Sequence, residues 1–109
     1  DYINPEGIPI KAEEVDLVAR LASMQKMHRA YMITGAVCTG AASKIKGTIV
    51  HDVISQRAKG CDTLIIGHPY GPMEVTTEME GDVIKKSGVY RTARKILDGF
   101  VYVPYSRIE

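Results

Sequence analysis

Residues 65–73 of this chain combine groups that could bind a small anion. They read Ile-Ile-Gly-His-Pro-Tyr-Gly-Pro-Met, an apolar strand that breaks into a loop framed by glycine and proline. The backbone N–H groups of such a loop lack strand partners, and glycine lets the backbone approach a ligand closely. Glycine and proline also mark ordinary turns, so a rigid hairpin connection remains an alternative interpretation.

A second candidate for anion binding lies at residues 31–36, Tyr-Met-Ile-Thr-Gly-Ala. The pattern predicts a short extended segment that enters a helix whose first turn is Thr-Gly-Ala, with Thr34 as its N-cap. Free N–H groups and the positive end of the helix dipole would then gather at Thr34 and Gly35.

Two helices are expected before the loop. Residues 12–27 carry apolar side chains at positions 17, 18, 21 and 24, which is helical spacing, and acidic side chains at positions 13 and 14, where a helix begins. Residues 35–44 are almost all small, which predicts a central helix buried on nearly every side, with Cys38 inert inside it.

The rest of the sequence predicts mainly strands. The expected strands are 48–54, 63–66, 73–80, 83–91 and 100–103, with a turn at Gly81-Asp82 and a short helix over 92–98. Alternation is strict from Met73 to Glu80, which indicates one core face and one solvent face. The order of elements predicts an α+β domain, in which an antiparallel or mixed sheet curls around a central apolar helix.

Composition bounds the classes of function. The 109 residues hold 14 basic and 13 acidic side chains without a long basic run, so no nucleic-acid footprint is present, and no apolar run is long enough for a membrane span. The two cysteines have no metal-ligand spacing, which favours a reduced, cytoplasmic protein without a metal. We expect residues 1–109 to form a single domain, and the abrupt start at Asp1 suggests a fragment of a longer chain.

Several segments together resemble the C-terminal half of the PrpF family, the 2-methylaconitate and methylitaconate isomerases, which are related in fold to diaminopimelate epimerase. The similarity extends from about Asp16 to Pro104. The segments that carry it are Val18-Ala19-Arg20-Leu21, His28-Arg29-Ala30-Tyr31, Thr34-Gly35-Ala36-Val37-Cys38-Thr39, Gly47-Thr48-Ile49-Val50, Ile66-Gly67-His68-Pro69, Met73-Glu74-Val75 and Arg91-Thr92-Ala93-Arg94.

This resemblance implies one half of a two-domain isomerase with a diaminopimelate epimerase-like fold. The substrate would bind between the N-termini of two central helices and undergo a proton shift next to a carboxylate without a cofactor. The proton-transfer cysteine and lysine of the family lie in the other half, and nothing in this chain corresponds to them. The chain would therefore hold a small carboxylate substrate and supply no catalytic residue.

The resemblance assigns substrate binding to the helix start and to the loop. The implied residues are Thr34, Gly35, His68, Pro69, Tyr70, Gly71 and Met73. Tyr70 departs from the family's usual His-Pro-Ser-Gly, and a bulky phenol in place of a small hydroxyl changes the pocket. Met32 stands where diaminopimelate epimerase has a catalytic cysteine, which excludes the two-cysteine mechanism because a thioether transfers no proton.

The other candidate residues have simpler interpretations. His28 is expected to orient the segment that enters the central helix, and Arg91 and Arg94 are expected to be solvated. Three hypotheses remain for the whole chain. It is a domain of an isomerase that needs its missing N-terminal half, a stand-alone homodimer that binds a carboxylate without turnover, or a structural domain whose pocket has decayed.

Overall fold

The computed structural model describes residues 1–108, which form an α+β fold with short elements at the start and a sheet near the end. The strands are β1 (Tyr2–Ile3), β2 (Pro9–Ile10), β3 (Leu17–Val18), β4 (Ala22–Ser23), β5 (Lys26–Met27), β6 (Thr63–His68), β7 (Gly71–Glu80) and β8 (Val83–Val89). The helices are α1 (Ile33–Ser43), α2 (Ile49–Val53) and α3 (Gln56–Lys59), with 3-10 turns at Ala12–Glu14 and Tyr105–Arg107.

A four-stranded mixed sheet organises the fold, in the order β3-β6-β7-β8. β6, β7 and β8 are antiparallel neighbours, whereas β3 runs parallel to β6 at the edge. The strands predicted at 63–66, 73–80 and 83–91 and the turn at Gly81-Asp82 are confirmed. The alternation in β7 holds as predicted, since Val75 and Thr77 are buried while Glu74 and Glu78 are exposed.

The central helix α1 packs on this sheet and is confirmed. A Cβ built on Gly40 would lie 2.5 Å from Val75 Cγ1, so the absence of a side chain lets the helix approach β7 closely. The core formed between them contains Ala36, Ile54, Ala58, Leu64, Ile66 and Val75. The prediction that α1 is buried on nearly every side is wrong, because its buried residues form one stripe of Ala36, Gly40 and Ser43.

The direction of α1 decides which loops lie near its N-terminus. Lys44, just after the helix, donates hydrogen bonds to the carbonyl oxygens of Ala58 and Cys61, which precede β6. The helix therefore ends where β6 begins, and its N-terminus points toward His68 at the other end of that strand.

The helix predicted over 12–27 is wrong, since this stretch is extended apart from the 3-10 turn. Asp16 explains the difference, because its buried carboxylate accepts hydrogen bonds from Ser55, Arg57 and the N–H of Ile65 on β6. Burial alone would raise the pKa of Asp16, but these hydrogen bonds and the Arg57 charge outweigh it and lower the pKa below its ordinary value. A helix would withdraw this carboxylate from β6, so tertiary contacts override the helical spacing.

Residues 22–27 form a hairpin instead, with Ala22 opposite Met27 and a tight turn at Met24 and Gln25. Both turn residues have positive φ, 50° and 63°. The N–H of His28 donates to the carbonyl oxygen of Leu21 at 2.7 Å and closes the base of the hairpin.

The strand predicted over 48–54 is also wrong, because capping overrides the β-branched composition there. Thr48 Oγ1 accepts a hydrogen bond from the N–H of His51 at 3.1 Å and starts α2. Ser55 does the same for α3 by accepting from the N–H of Ala58 at 3.2 Å.

Residues 90–104 have no regular secondary structure, so the helix predicted over 92–98 and the strand over 100–103 are wrong for this chain. This segment is exposed, and Phe100 and Tyr102 each keep 95% of their surface accessible. Short helices are only marginally stable in water without a packing partner. This explains why residues 92–98 are not helical despite a helical sequence pattern.

Candidate functional site

The N-terminus of α1 presents backbone donors, but its N-cap lies two residues earlier than expected. Met32, not Thr34, is the N-cap, and the first helical hydrogen bond runs from the N–H of Ala36 to the carbonyl oxygen of Met32 at 2.8 Å. The preceding N–H groups of Ile33, Thr34 and Gly35 have no acceptor within residues 1–108. These donors and the exposed Thr34 hydroxyl suit an anion.

The loop after Ile66 is a tight hairpin turn in which His68 pairs with Gly71. Its backbone donors are scarcer than the sequence predicted. Pro69 has no N–H, and the N–H of Tyr70 donates to His68 Nδ1 at 3.3 Å. Gly71 has a φ of +119°, a conformation that side chains disfavour, so glycine is required there for the turn itself.

The helix start and the turn lie at the same end of the sheet, with one short segment between them. The N–H of Ala19 donates to the carbonyl oxygen of Gly67 at 2.9 Å, and the next apolar side chain, Leu21, covers Gly35. A Cβ at Gly35 would overlap Leu21 Cδ1. The two features therefore belong to one surface, with Leu21 packed against the helix start.

The remaining predicted site residues differ in exposure. His68 and Pro69 are half-buried and Tyr70 is exposed, whereas Gly71 is buried. Met73 is half-buried and packs against the hydrophobic core. Only the exposed and half-buried members are open to a ligand in this chain.

A cleft of about 500 Å³ lies beside the turn and adds side chains that the sequence analysis did not assign to the site. Its lining residues are Pro5, Arg20, Met27, His28, Arg29, Pro69 and Tyr70. Two arginines and a histidine thus face a cleft whose lining includes no carboxylate. Arg20, His28 and Arg29 stand within the family-like segments, which was the one sequence signal that pointed to them.

His68 carries a hydrogen-bonded imidazole and directly precedes Pro69, which lines this cleft. Because Nδ1 accepts from the N–H of Tyr70, the neutral ring carries its proton on Nε2, which remains a donor. Burial lowers the pKa of His68, and the positive charge of Arg20 lowers it further. The turn itself is held by Tyr2, whose hydroxyl donates to the carbonyl oxygen of His68 at 2.6 Å.

Another cleft, of about 520 Å³, lies at the opposite end of α1 and differs in its charge. Lys44, Lys46 and Lys59 line it together with Asp62 and Asp82, so its cations face carboxylates. Lys44 is moreover committed to the carbonyl oxygens of Ala58 and Cys61. This end of the sheet is therefore a weaker candidate for anion binding.

The cysteines do not form a metal or redox centre in the described part of the chain. Cys38 is exposed rather than buried, which corrects the prediction, and Cys61 is half-buried; both are free thiols. Within residues 1–108, no group of three or more His, Cys, Asp or Glu side chains could hold a metal ion, and no helix is long and apolar enough to cross a membrane.

Comparison with known proteins identifies the family. The model of the PrpF protein family matches residues 1–104, and this chain belongs to that family. It is 39% identical over 109 residues to 3-methylitaconate isomerase of Eubacterium barkeri, covering 99% of this chain and 28% of that protein. It is 36% identical over 108 residues to 2-methyl-aconitate isomerase of Cupriavidus necator, covering 95% of this chain and 27% of that protein.

A solved structure supports the same assignment at the level of fold. The crystal structure of methylitaconate-delta-isomerase superimposes with a TM-score of 0.82 at 41% identity, covering 94% of this chain and 27% of that one. The expected family and the α+β fold class are thereby confirmed. The chain spans about a quarter of the length of these relatives.

Proposed function

We propose that this chain forms the carboxylate-binding part of a cytoplasmic isomerase that acts on unsaturated di- or tricarboxylates of the 2-methylaconitate, aconitate or methylitaconate type. The names of its relatives supply the reaction class. The observation that carries the proposal is the set of free N–H groups at Ile33, Thr34 and Gly35, at the same end of the sheet as the His68 turn.

These donors would act on the charge that develops during proton transfer. Removing a proton next to a carboxylate moves negative charge onto the carboxylate oxygens, and fixed N–H groups stabilise that charge more strongly as it grows. The Thr34 hydroxyl and the Nε2–H of His68 would add two further donors. The chain itself contributes binding and orientation, while the groups that remove and return the proton come from the rest of the enzyme, without a cofactor.

The exposed apolar segment favours a second candidate function, that of a homodimeric binding domain without catalysis. Ile96, Leu97 and Phe100 are each at least 87% exposed, so they need a covering surface. Either the missing part of the isomerase or a second copy of the chain would provide it. The solution mass of the natural protein distinguishes these cases, because a dimer of chains of about 109 residues is far smaller than a complete isomerase.

A substitution of Thr34 to valine tests the primary proposal in the full-length isomerase that contains this segment. The valine keeps the shape but removes one donor to the substrate carboxylate, so we expect KM to rise about tenfold, since a hydrogen bond to a charged group contributes about 1.5 kcal/mol. Isomerisation is followed by the ultraviolet absorbance of the unsaturated acid.

The matched control is Thr76→Val, the same chemical change on the central strand β7, away from the helix start. Its kinetic constants are expected to stay unchanged. If Thr34→Val also leaves kcat and KM unchanged, the assignment of the Thr34 hydroxyl as a donor to the substrate carboxylate is wrong.

A further inference from the structure

We propose that Arg20 and Arg29 form a second carboxylate subsite, which selects acids that carry at least two carboxylates. This inference rests on the proposed function, because it places the second carboxylate of the same substrate. It assigns ligand-binding roles to two side chains outside the site residues expected from the sequence.

The hairpin explains how two arginines that are separated in the sequence come to line one cleft. Arg20 precedes β4 and Arg29 follows β5, so the antiparallel pairing of these strands brings both ends of the hairpin together. The hydrogen bond from the N–H of His28 to the carbonyl oxygen of Leu21, 2.7 Å long, closes this base. A helix over the same residues would not create this pair.

The two arginines of the cleft are not neutralised by carboxylates in the described part of the chain. None of the ion pairs formed within residues 1–108 involves Arg20 or Arg29. The lining of the cleft includes His28 but no acidic side chain. Since arginine binds a carboxylate through two parallel N–H···O hydrogen bonds, an anion with carboxylate oxygens fits this lining better than a neutral ligand.

Arg20 is positioned before any ligand binds. Its guanidinium carbon lies 5.9 Å from the centre of the Tyr2 ring, within the range of a cation–π contact. Tyr2 in turn is tied to the turn by its hydrogen bond to the carbonyl oxygen of His68. A cation held over an aromatic ring loses less conformational freedom on binding an anion.

His28 constrains the chain next to Arg29. Its Nδ1 lies 2.8 Å from the carbonyl oxygen of Ala30, in the segment that leads directly into α1. This short segment therefore links the arginine cleft to the free N–H groups at Thr34 and Gly35. Leu21 provides a second link, because it follows Arg20 in the sequence and contacts Gly35. A substrate with two separated carboxylates matches two such groups of donors.

Binding of saturated acids to the full-length protein tests this subsite without turnover. Calorimetry is carried out with tricarballylate, which has three carboxylates, and with butyrate, which has one. We expect R20Q and R29Q each to weaken tricarballylate binding about tenfold and to leave butyrate binding unchanged. The matched control is K46Q, which removes one positive charge at the opposite cleft and should change the binding of neither acid.

The outcomes separate the inference from the proposed function. If the wild-type protein binds tricarballylate and both arginine variants bind it equally well, or if K46Q weakens binding as much, the subsite is refuted while the proposed function stands. If the wild-type protein binds neither acid, both fail. Thermal unfolding of each variant checks the fold, and R29Q decides the question if R20Q is destabilised through loss of its Tyr2 contact.

Discussion

His68 illustrates how a single residue can serve both the turn and the ligand. Its Nδ1 accepts the N–H of Tyr70 and its carbonyl oxygen accepts the Tyr2 hydroxyl, so the ring and backbone are fixed while Nε2 stays available. The Nδ1 hydrogen bond requires the neutral ring. Burial and the nearby Arg20 charge, which lower the pKa of His68, keep the ring in that form.

We predict that His68 makes the stability of the protein depend on pH. Because its pKa in the folded state lies below the unfolded value of about 6.5, the unfolded state binds the proton more readily. The stabilising contribution is therefore complete above pH about 6.5 and decreases as the pH falls toward the folded pKa. Urea unfolding between pH 7.5 and pH 5 measures it.

His68→Gln is the comparison, since glutamine does not titrate in this range. The Asp16 carboxyl, whose pKa is lowered, begins to lose its contribution only at more acidic pH. The wild-type protein should lose more stability over this interval than the variant. Identical pH dependence in both proteins would contradict the assigned environment of His68.

The site residues were predictable from the sequence to different degrees. The small residues of α1 indicated a helix that begins near Thr34, although Met32 is the N-cap, because the cap here lacks a side-chain hydrogen bond that a sequence pattern could reveal. Arg20 and Arg29 could not be grouped, because their proximity depends on the hairpin. The turn has fewer free N–H groups than predicted. Pro69 has no N–H, and the N–H of Tyr70 donates a hydrogen bond to His68.

At the scale of elements, the hairpin β4–β5 carries the arginine subsite and contains a strained turn. Met24 and Gln25 have positive φ, as in a type I′ turn, which L residues with side chains adopt at a cost of roughly 1–2 kcal/mol each. Met24 is 94% exposed, so its side chain contributes little packing.

We predict that the double substitution Met24→Asn with Gln25→Gly stabilises the protein. An asparagine followed by a glycine is the preferred pair for a type I′ turn, so the free energy of unfolding should rise by about 1 kcal/mol, as measured by urea denaturation. Met24→Ala, which removes the side chain but keeps the strained backbone, serves as the control and should change stability much less. A double variant no more stable than the wild type would contradict the strain at this turn.

The hairpin and α2 show why elements were misassigned from sequence. Leu17 and Leu21 follow helical spacing, but Leu17 pairs with Ile66 in the sheet and Leu21 covers Gly35. Both side chains find apolar partners in an extended chain, so periodicity alone could not exclude it. In residues 48–59, the polar caps Thr48 of α2 and Ser55 of α3 outweigh the β-branched composition. The strand β7 was predicted correctly because its alternating residues have one consistent packing partner, α1.

At the scale of the whole molecule, the chain is less compact than its length predicts. Its radius of gyration is 18.4 Å, whereas a compact domain of this length has a value of about 13 Å. The exposed segment after β8, which has no regular secondary structure over residues 90–104, is consistent with this larger value. Ile96, Leu97 and Phe100 in this segment are each at least 87% exposed within the described chain, which spans about a quarter of the length of its relatives.

We predict that this segment is cleaved first when the isolated chain is treated with trypsin at low concentration. Its basic residues, Arg91, Arg94 and Lys95, are exposed in a segment without secondary structure, and proteases require such a backbone. Mass spectrometry of the early products identifies the cut sites. Resistance of these sites in the isolated chain would show that the segment packs on the sheet.

The same sites in a protein that contains this segment and has the length of its relatives provide the comparison. We expect them to be protected there, because additional residues would cover the apolar side chains. Equal cleavage in both proteins would instead favour a segment that stays exposed.

The crystal structure of the full-length protein with a bound unsaturated tricarboxylate tests the central claim most directly. We predict one carboxylate within hydrogen-bonding distance of the N–H groups of Thr34 and Gly35, close to the His68 turn. A substrate bound elsewhere, with none of its oxygen atoms near those N–H groups, would contradict it.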